Sequence, residues 1–240
     1  MMVELYSVLS IVLIETDPML LIYNIDGSHE DSIPLECVSL GITVIDNSTV
    51  AVTLYNTIHC VDMYDINNKV KLKSIALHDI YSQIFLFYIT TINNNIVVGI
   101  HNSIVIIDHQ TGEVVKTIDT GGISTCCLHS TSDKIFYCDD LLYNNNNIYC
   151  YSYCDDQVDI MTLPSIPQSI TSLQDGSVYV TCRNGSVQHV SSDGKSYKTV
   201  TTEGLLSMEK LSKISYNPKQ RKLVITCTNN DKMVKVFDEV

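Results

Sequence analysis

Ile42-Thr43-Val44-Ile45-Asp46-Asn47-Ser48-Thr49-Val50-Ala51-Val52-Thr53 reads as two short β-type runs around a polar turn, and its second run recurs along the chain. Tetrads of the same character stand at Val50-Ala51-Val52-Thr53, Ile96-Val97-Val98-Gly99, Ile135-Phe136-Tyr137-Cys138, Val178-Tyr179-Val180-Thr181 and Leu223-Val224-Ile225-Thr226. Their starts are 46, 39, 43 and 45 residues apart. A self-similar period of this length marks a repeat architecture.

Working outward from the tetrads, a run such as Ile89-Thr90-Thr91-Ile92 or Ile170-Thr171-Ser172-Leu173 precedes each clear case. Between the two runs lie Asp46-Asn47, Asn93-Asn94-Asn95 and Asp175-Gly176, residues that tolerate the positive φ of a tight hairpin. A third strand follows at Ile58 to Tyr64, Ile104 to Ile107, Ile148 to Tyr153, Val187 to Val190 and Val234 to Phe237. Lys71 to Ile75 and Val114 to Ile118 supply a fourth. Four antiparallel strands in about 43 residues make one propeller blade.

The pattern therefore predicts an all-β chain folded as a single six-bladed β-propeller over residues 1–240, with incomplete first and last blades. The blades fall at 1–36 (partial), 40–77, 86–120, 123–164, 168–202 and 211–240. Leu20 to Ile25 and Ser32 to Leu35 are the last strands of the opening blade, and Val3 to Ile14 is the strand expected to close the last one. Val3 to Ile14 contains Glu4, has no basic flank, and is too short to span a bilayer. Ile80 to Leu86 is left open between strand and helix.

The repeated unit, together with Asn102-Ser103-Ile104-Val105-Ile106-Ile107-Asp108 and the outer hairpin from Asp108 to Ile118, resembles the NHL-type six-bladed propeller of tripartite-motif (TRIM) ubiquitin ligases. The resemblance runs from about Leu20 to Val240. It implies a non-enzymatic substrate- or partner-recognition domain; the RING, B-box and coiled-coil modules that carry ligase activity are not in this sequence. An RNA-binding role, which some NHL-type propellers have, is the alternative.

Composition narrows the chemistry. With 15 basic against 27 acidic residues the net charge is −12, which repels phosphate and anionic lipid and sets membranes and nucleic acid aside as first-choice partners. Nine cysteines without a CxxC pair read as mostly buried free thiols of a reducing compartment, giving a cytoplasmic expectation, and the propeller is expected to be monomeric. The sequons at Asn47 and Asn184 read as polar turns.

A propeller hydrolase with a channel metal is the remaining alternative, and such a site needs carboxylate, Asn or His ligands on the inner strands. Thr43, Thr90, Thr171, Ser215 and Thr125 are assigned to the equivalent inner position instead. No cofactor, metal or catalytic constellation is predicted. His59 and His189 fall in third strands and read as hydrogen-bonded blade residues.

Two surfaces remain as binding candidates. The residues two beyond each tetrad, Tyr55, His101, Asp140, Arg183 and Thr228, with Asn102 and Asn184 beside them, lie in second-to-third-strand loops and are expected to share one rim. Variable side chains on a repeating scaffold suit a protein or peptide ligand. Residues 183–240 hold 10 Lys and Arg against 6 Asp and Glu, and Lys210, Lys213, Lys219, Arg221 and Lys222 crowd the Asn217-Pro218 turn. That cluster is the candidate RNA contact, with Tyr216 as its aromatic neighbour.

Overall fold

The structure, a computed structural model, describes residues 18–23, 28–37, 39–54, 60–77, 88–139, 145–200, 211–217, 221–227 and 234–238. The Val3 to Ile14 closing strand and the Ile80 to Leu86 segment lie outside them. Contacts divide the chain into two compact units, Met1–Gly122 and Ile123–Val240.

In the first unit, β1 (Met19–Tyr23) and β2 (His29–Pro34) form a hairpin. The strands β3 (Ser39–Val44), β4 (Thr49–Leu54), β5 (Cys60–Asp65) and β6 (Val70–Ala76) form a four-stranded antiparallel sheet in chain order. Next come β7 (Tyr88–Ile92), β8 (Asn95–Asp108) and β9 (Val114–Ser130), which continues into the second unit. There it pairs with β10 (Lys134–Asp139), followed by β11 (Asn147–Ser152) and β12 (Gln157–Thr162). The strands β13 (Pro167–Ser172), β14 (Val178–Cys182), β15 (Val187–Val190) and β16 (Tyr197–Thr199) make another four-stranded sheet. The last sheet holds β17 (Leu211–Asn217), β18 (Lys222–Cys227) and β19 (Val234–Asp238).

Every tetrad lies in a second strand, with its predicted partner antiparallel beside it. The turn residues behave as their chemistry requires: Asn93, Asn94 and Gly176 all have positive φ. Asp46 accepts the backbone N–H groups of Ser48 and Thr49 at 2.9 and 2.8 Å.

The blade count differs from expectation. The described residues show five sheets rather than six blades, because β8 and β9 are long continuous strands. Thus the segments expected as blades 86–120 and 123–164 run through one sheet ordered β7-β8-β9-β10-β11-β12.

The tetrads are continuous apolar runs because both faces of a second strand are covered. All six residues of β4 are buried. Val50, Val52 and Leu54 pack with Leu20, Ile22 and Ile33, while Ala51 joins Val61, Ile75, Ile89 and Ile96. In the second unit Phe136, Cys150, Val178 and Val180 share one core, and Tyr179, Val187, Ile214 and Ile225 another. Fourth strands are outermost, and β12 and β16 are largely exposed.

A one-residue bulge recurs on inner strands, skipping Leu40, Cys126, Gln168 and Ser212 opposite the end of the tetrad. A bulge bends its strand and raises the local twist. It also moves the inner-strand residues before it by one place relative to the tetrad strand, and leaves those between it and the hairpin turn in register.

Candidate functional site

Strand register decides which inner-strand residues are equivalent. The second tetrad residues Ala51, Val97, Tyr179 and Val224 face Thr43, Thr90, Thr171 and Ser215, as the sequence indicated. In the fourth repeat Phe136 faces His129, whereas Thr125 lies opposite Asp139, beyond the bulge. His129 thus replaces Thr125 in that set. The hydroxyls on these strands bind backbone: Ser169 Oγ accepts from Ile214 N at 3.2 Å and Thr171 Oγ1 from Tyr216 N at 3.1 Å. In the first unit Thr91 Oγ1 donates to the Val44 carbonyl at 3.3 Å. Such bonds stitch neighbouring inner strands together. Among the described residues no group of three or more His, Cys, Asp or Glu is placed to hold a metal ion.

His129 reaches out of its own sheet. Its Nε2 lies 2.9 Å from Ser172 Oγ, and burial pushes its pKa down to about 4, so the ring is neutral near pH 7. A serine hydroxyl against an imidazole is the first half of a nucleophile–base pair. A second pair, His189 Nε2 and Ser177 Oγ at 2.8 Å, lies within the β13–β16 sheet, and burial lowers that histidine's pKa as well. The two contacts stand at different places in the repeat, one between sheets and one within a hairpin; both fit structural ties, and burial makes His129 a weak proton acceptor. His189 is the hydrogen-bonded blade residue expected; His59 lies outside the described residues.

Ser172 also lines a pocket of about 530 Å³ within the second unit. Its walls are first-to-second-strand turns: Thr131, Ser132, Asp133 and Lys134 before β10, and Leu173, Gln174, Asp175 and Gly176 before β14. Ser192, from the turn between β15 and β16, closes one side. Lys134 Nζ donates to the Ser192 carbonyl at 2.8 Å, and the Asp175 carboxylate accepts from Ser177 N at 2.9 Å. The Ser177 bonds hold the Asp175 pKa below the usual carboxylate range. Beside the pocket, Gly194 at φ +73° packs on Cys150, where a Cβ would sit 2.7 Å from the Cys150 Cβ. Antiparallel pairing puts these turns at the opposite strand ends from the proposed rim.

Of the rim residues, Tyr55, Asp140 and Thr228 lie outside the described residues, and His101 is placed by its backbone in β8. Asn102, exposed at φ +63°, belongs to the first unit. Arg183 and Asn184 are exposed neighbours in one turn of the second. Arg183 N donates to the Ile166 carbonyl at 2.8 Å and Asn184 N to Ser165 Oγ at 3.2 Å, which fixes that turn's backbone. In the basic cluster, Lys213 and Arg221 are exposed and Lys222 is partly exposed; Lys210 and Lys219 lie outside the described residues.

The first unit holds a polar network that the sequence reading missed. Asp62 is wholly buried on β5, with Lys71 Nζ at 2.7 Å, the Tyr64 hydroxyl at 3.2 Å and Cys60 Sγ at 3.6 Å; Ser74 Oγ also donates to it. Lys71 bridges on to Glu36 at 3.0 Å. Burial opposes the Lys71 charge, yet the bonds to Asp62 and Glu36 raise its pKa above the ordinary lysine value. Burial, then the Asp62 charge, pushes the Cys60 thiol up to about 12, which leaves it an unreactive thiol. A lone Asp between apolar β-type residues in a third strand was the available signal.

The chain is similar in structure to the Neurospora crassa Pan2 WD40 domain, with a TM-score of 0.71 at 10% identity, covering 95% of this chain and 73% of that one. The fold is of the β-propeller type. A chain of the mitotic checkpoint complex matches the propeller at a TM-score of 0.71 and 15% identity, over 98% of this chain and 74% of the other. BBS1N, solved in complex with ARL6DN, matches at 0.67 and 16%, over 95% and 75%. The likeness to a WD40 domain replaces the NHL type as the observed structural neighbourhood. No protein-family profile and no curated protein matches the chain. Among the described residues no helix is long and apolar enough to cross a membrane.

Proposed function

We propose that this propeller is a non-enzymatic recognition module for a protein or peptide, working in the cytoplasm through its second-to-third-strand turns. The Arg183-Asn184 turn carries the reading: two exposed polar side chains stand on a backbone pinned by hydrogen bonds from both residues. A pinned turn presents its side chains with little backbone ordering cost on binding. Asp140 and Thr228 in the second unit, and Tyr55, His101 and Asn102 in the first, are the equivalent positions. Two of the similar structures are of assemblies, one with ARL6DN and one a checkpoint complex, which supports protein docking as the use of this fold. Substrate selection for a ubiquitin ligase is the specific form implied by the TRIM-type resemblance.

RNA is the second reading, favoured by exposed Lys213 and Arg221 on the β17–β18 hairpin. The net charge of −12 works against it. Quantitative affinity capture compares the wild type with an Arg183→Ala/Asn184→Ala variant and a Tyr55→Ala/His101→Ala variant. Loss of the same specific protein from either capture supports the rim, and an unchanged partner set for both removes it. Captured RNA whose binding falls steeply with salt, and which Lys213→Ala/Arg221→Ala abolishes, would establish the second reading instead.

A further inference from the structure

We propose that the pocket between the 131–134 and 173–176 turns binds a cationic side chain, arginine or lysine, presented by an extended peptide of a protein partner. The site is separate from the rim, at the other ends of the strands, and does not depend on the rim reading.

Four observations converge on this occupant. The pocket, about 530 Å³, lies within one unit and is built from three ordered turns. Those turns are tied by hydrogen bonds: Gly176 N donates to the Leu173 carbonyl at 3.2 Å, Gly194 N to Ser191 O at 2.9 Å, and Lys134 Nζ to Ser192 O at 2.8 Å. Asp133 and Asp175 both line the cavity, and among the described residues the bonds to each use Oδ1, from Ser132 Oγ and from Ser177. Among the described residues Oδ2 of each carboxylate has no protein donor, so both present an acceptor to a ligand.

The remaining lining suits a peptide backbone around that cation. Thr131, Ser132, Ser172 and Ser192 supply hydroxyls that both donate and accept. The volume exceeds what one guanidinium or ammonium fills, leaving room for the flanking chain. A bare divalent cation fits poorly, since it wants six or more oxygens and no group of three ligating side chains is present among the described residues. An anion fits worse, because the two carboxylates Asp133 and Asp175 outnumber the one lining cation, Lys134.

The test titrates the isotope-labelled full chain with acetyl-Gly-Arg-Gly-amide, its lysine counterpart and its citrulline counterpart, reading amide shifts. The arginine or lysine peptide should move the Ser132, Gly176 and Ser192 amides, and citrulline should bind at least about ten-fold more weakly, as loss of a charge-assisted bond predicts. Asp133→Asn/Asp175→Asn should weaken the cationic peptide by about the same factor. Asp133→Asn alone spares the Asp175 turn, so its weaker binding with an unchanged thermal midpoint separates lost recognition from lost folding. Arg183→Ala/Asn184→Ala should leave this titration unchanged, so a failed rim and a failed pocket are distinguishable. Equal binding of citrulline, shifts centred away from those amides, or full affinity in the double Asn variant would each overturn the proposal.

Discussion

Asp62 in the first unit and Gln188 in the second fill the same slot of the repeat with opposite chemistry. Each faces the third tetrad residue, Val52 or Val180, on a third strand, and each is wholly buried. Each also takes a hydroxyl donor from the fourth strand, Ser74 in one case and Thr199 at 2.9 Å in the other. The charged version then recruits Lys71 and, through it, Glu36. The neutral version is completed by a bond from its own amide to Ser186 Oγ at 2.9 Å. One backbone geometry thus accepts either an ion pair or an amide, provided every polar atom finds a partner.

Exchanging the chemistry is the strongest way to break the comparison. Gln188→Glu puts a carboxylate where the bonded partners among the described residues are the hydroxyls of Ser186 and Thr199, and should cost about 4 kcal/mol at pH 7 by urea denaturation, less near pH 4 where the acid is neutral. Lys71→Met strands the Asp62 charge and should cost about 3 kcal/mol, less than a fully enclosed pair would because the lysine side chain keeps 30% exposure. Adding Asp62→Asn should recover most of that loss. If Gln188→Glu is harmless, the two slots do not differ as described.

Two glycines sharpen the contrast at a smaller scale. Gly194→Ala drives a Cβ to 2.7 Å from Cys150 at a positive φ and should cost about 2–3 kcal/mol in the same denaturation assay. Gly41→Ala in the first unit meets Ile89 Cγ2 at 3.1 Å with ordinary φ, so about 1 kcal/mol is expected.

Acid separates the units most gently. In the second, folded His129 resists protonation down to about pH 4, while an unfolded histidine titrates near the ordinary 6.5. Its stabilisation is complete above 6.5 and drains as pH falls toward 4, by on the order of 2 kcal/mol. In the first unit the hairpin carboxylates Asp46, Asp65 and Asp108 have lowered pKa values, so their contribution persists until pH drops below the ordinary 3.8. Between pH 7 and 4.5 the amide protection factors, which are corrected for the slower intrinsic exchange in acid, should fall in core residues such as Phe136 and Val180 ahead of Val52 and Ile96. His129→Gln should flatten the response of the second unit.

Much of the strand layout was readable in advance, because alternation, tetrads and turn residues are local features. The tetrad, inner-strand and most third-strand positions were found where expected. The fourth-repeat inner position was not: Thr125 lies eleven residues before Phe136, whereas inner and tetrad partners elsewhere are seven to nine apart, and it is His129, seven before, that faces Phe136. The NHL-type reading rested on the same strand period that a WD40-like domain shares, and with no Trp the chain lacks the WD dipeptide that would have separated them. The rim was legible only as loop positions, and the pocket not at all, since its walls come from turns about forty residues apart.

By itself the sequence determined an all-β chain of repeated antiparallel strands, for short apolar β-type runs and positive-φ turns act over a few neighbouring residues. Only the tertiary structure decided that Asp62 meets Lys71 and Glu36, that His129 meets Ser172 across 43 positions, and that three separate turns enclose one cavity. Those outcomes depend on bulges, strand register and the packing of one sheet on the next, where a shift of one residue turns a side chain to the other face.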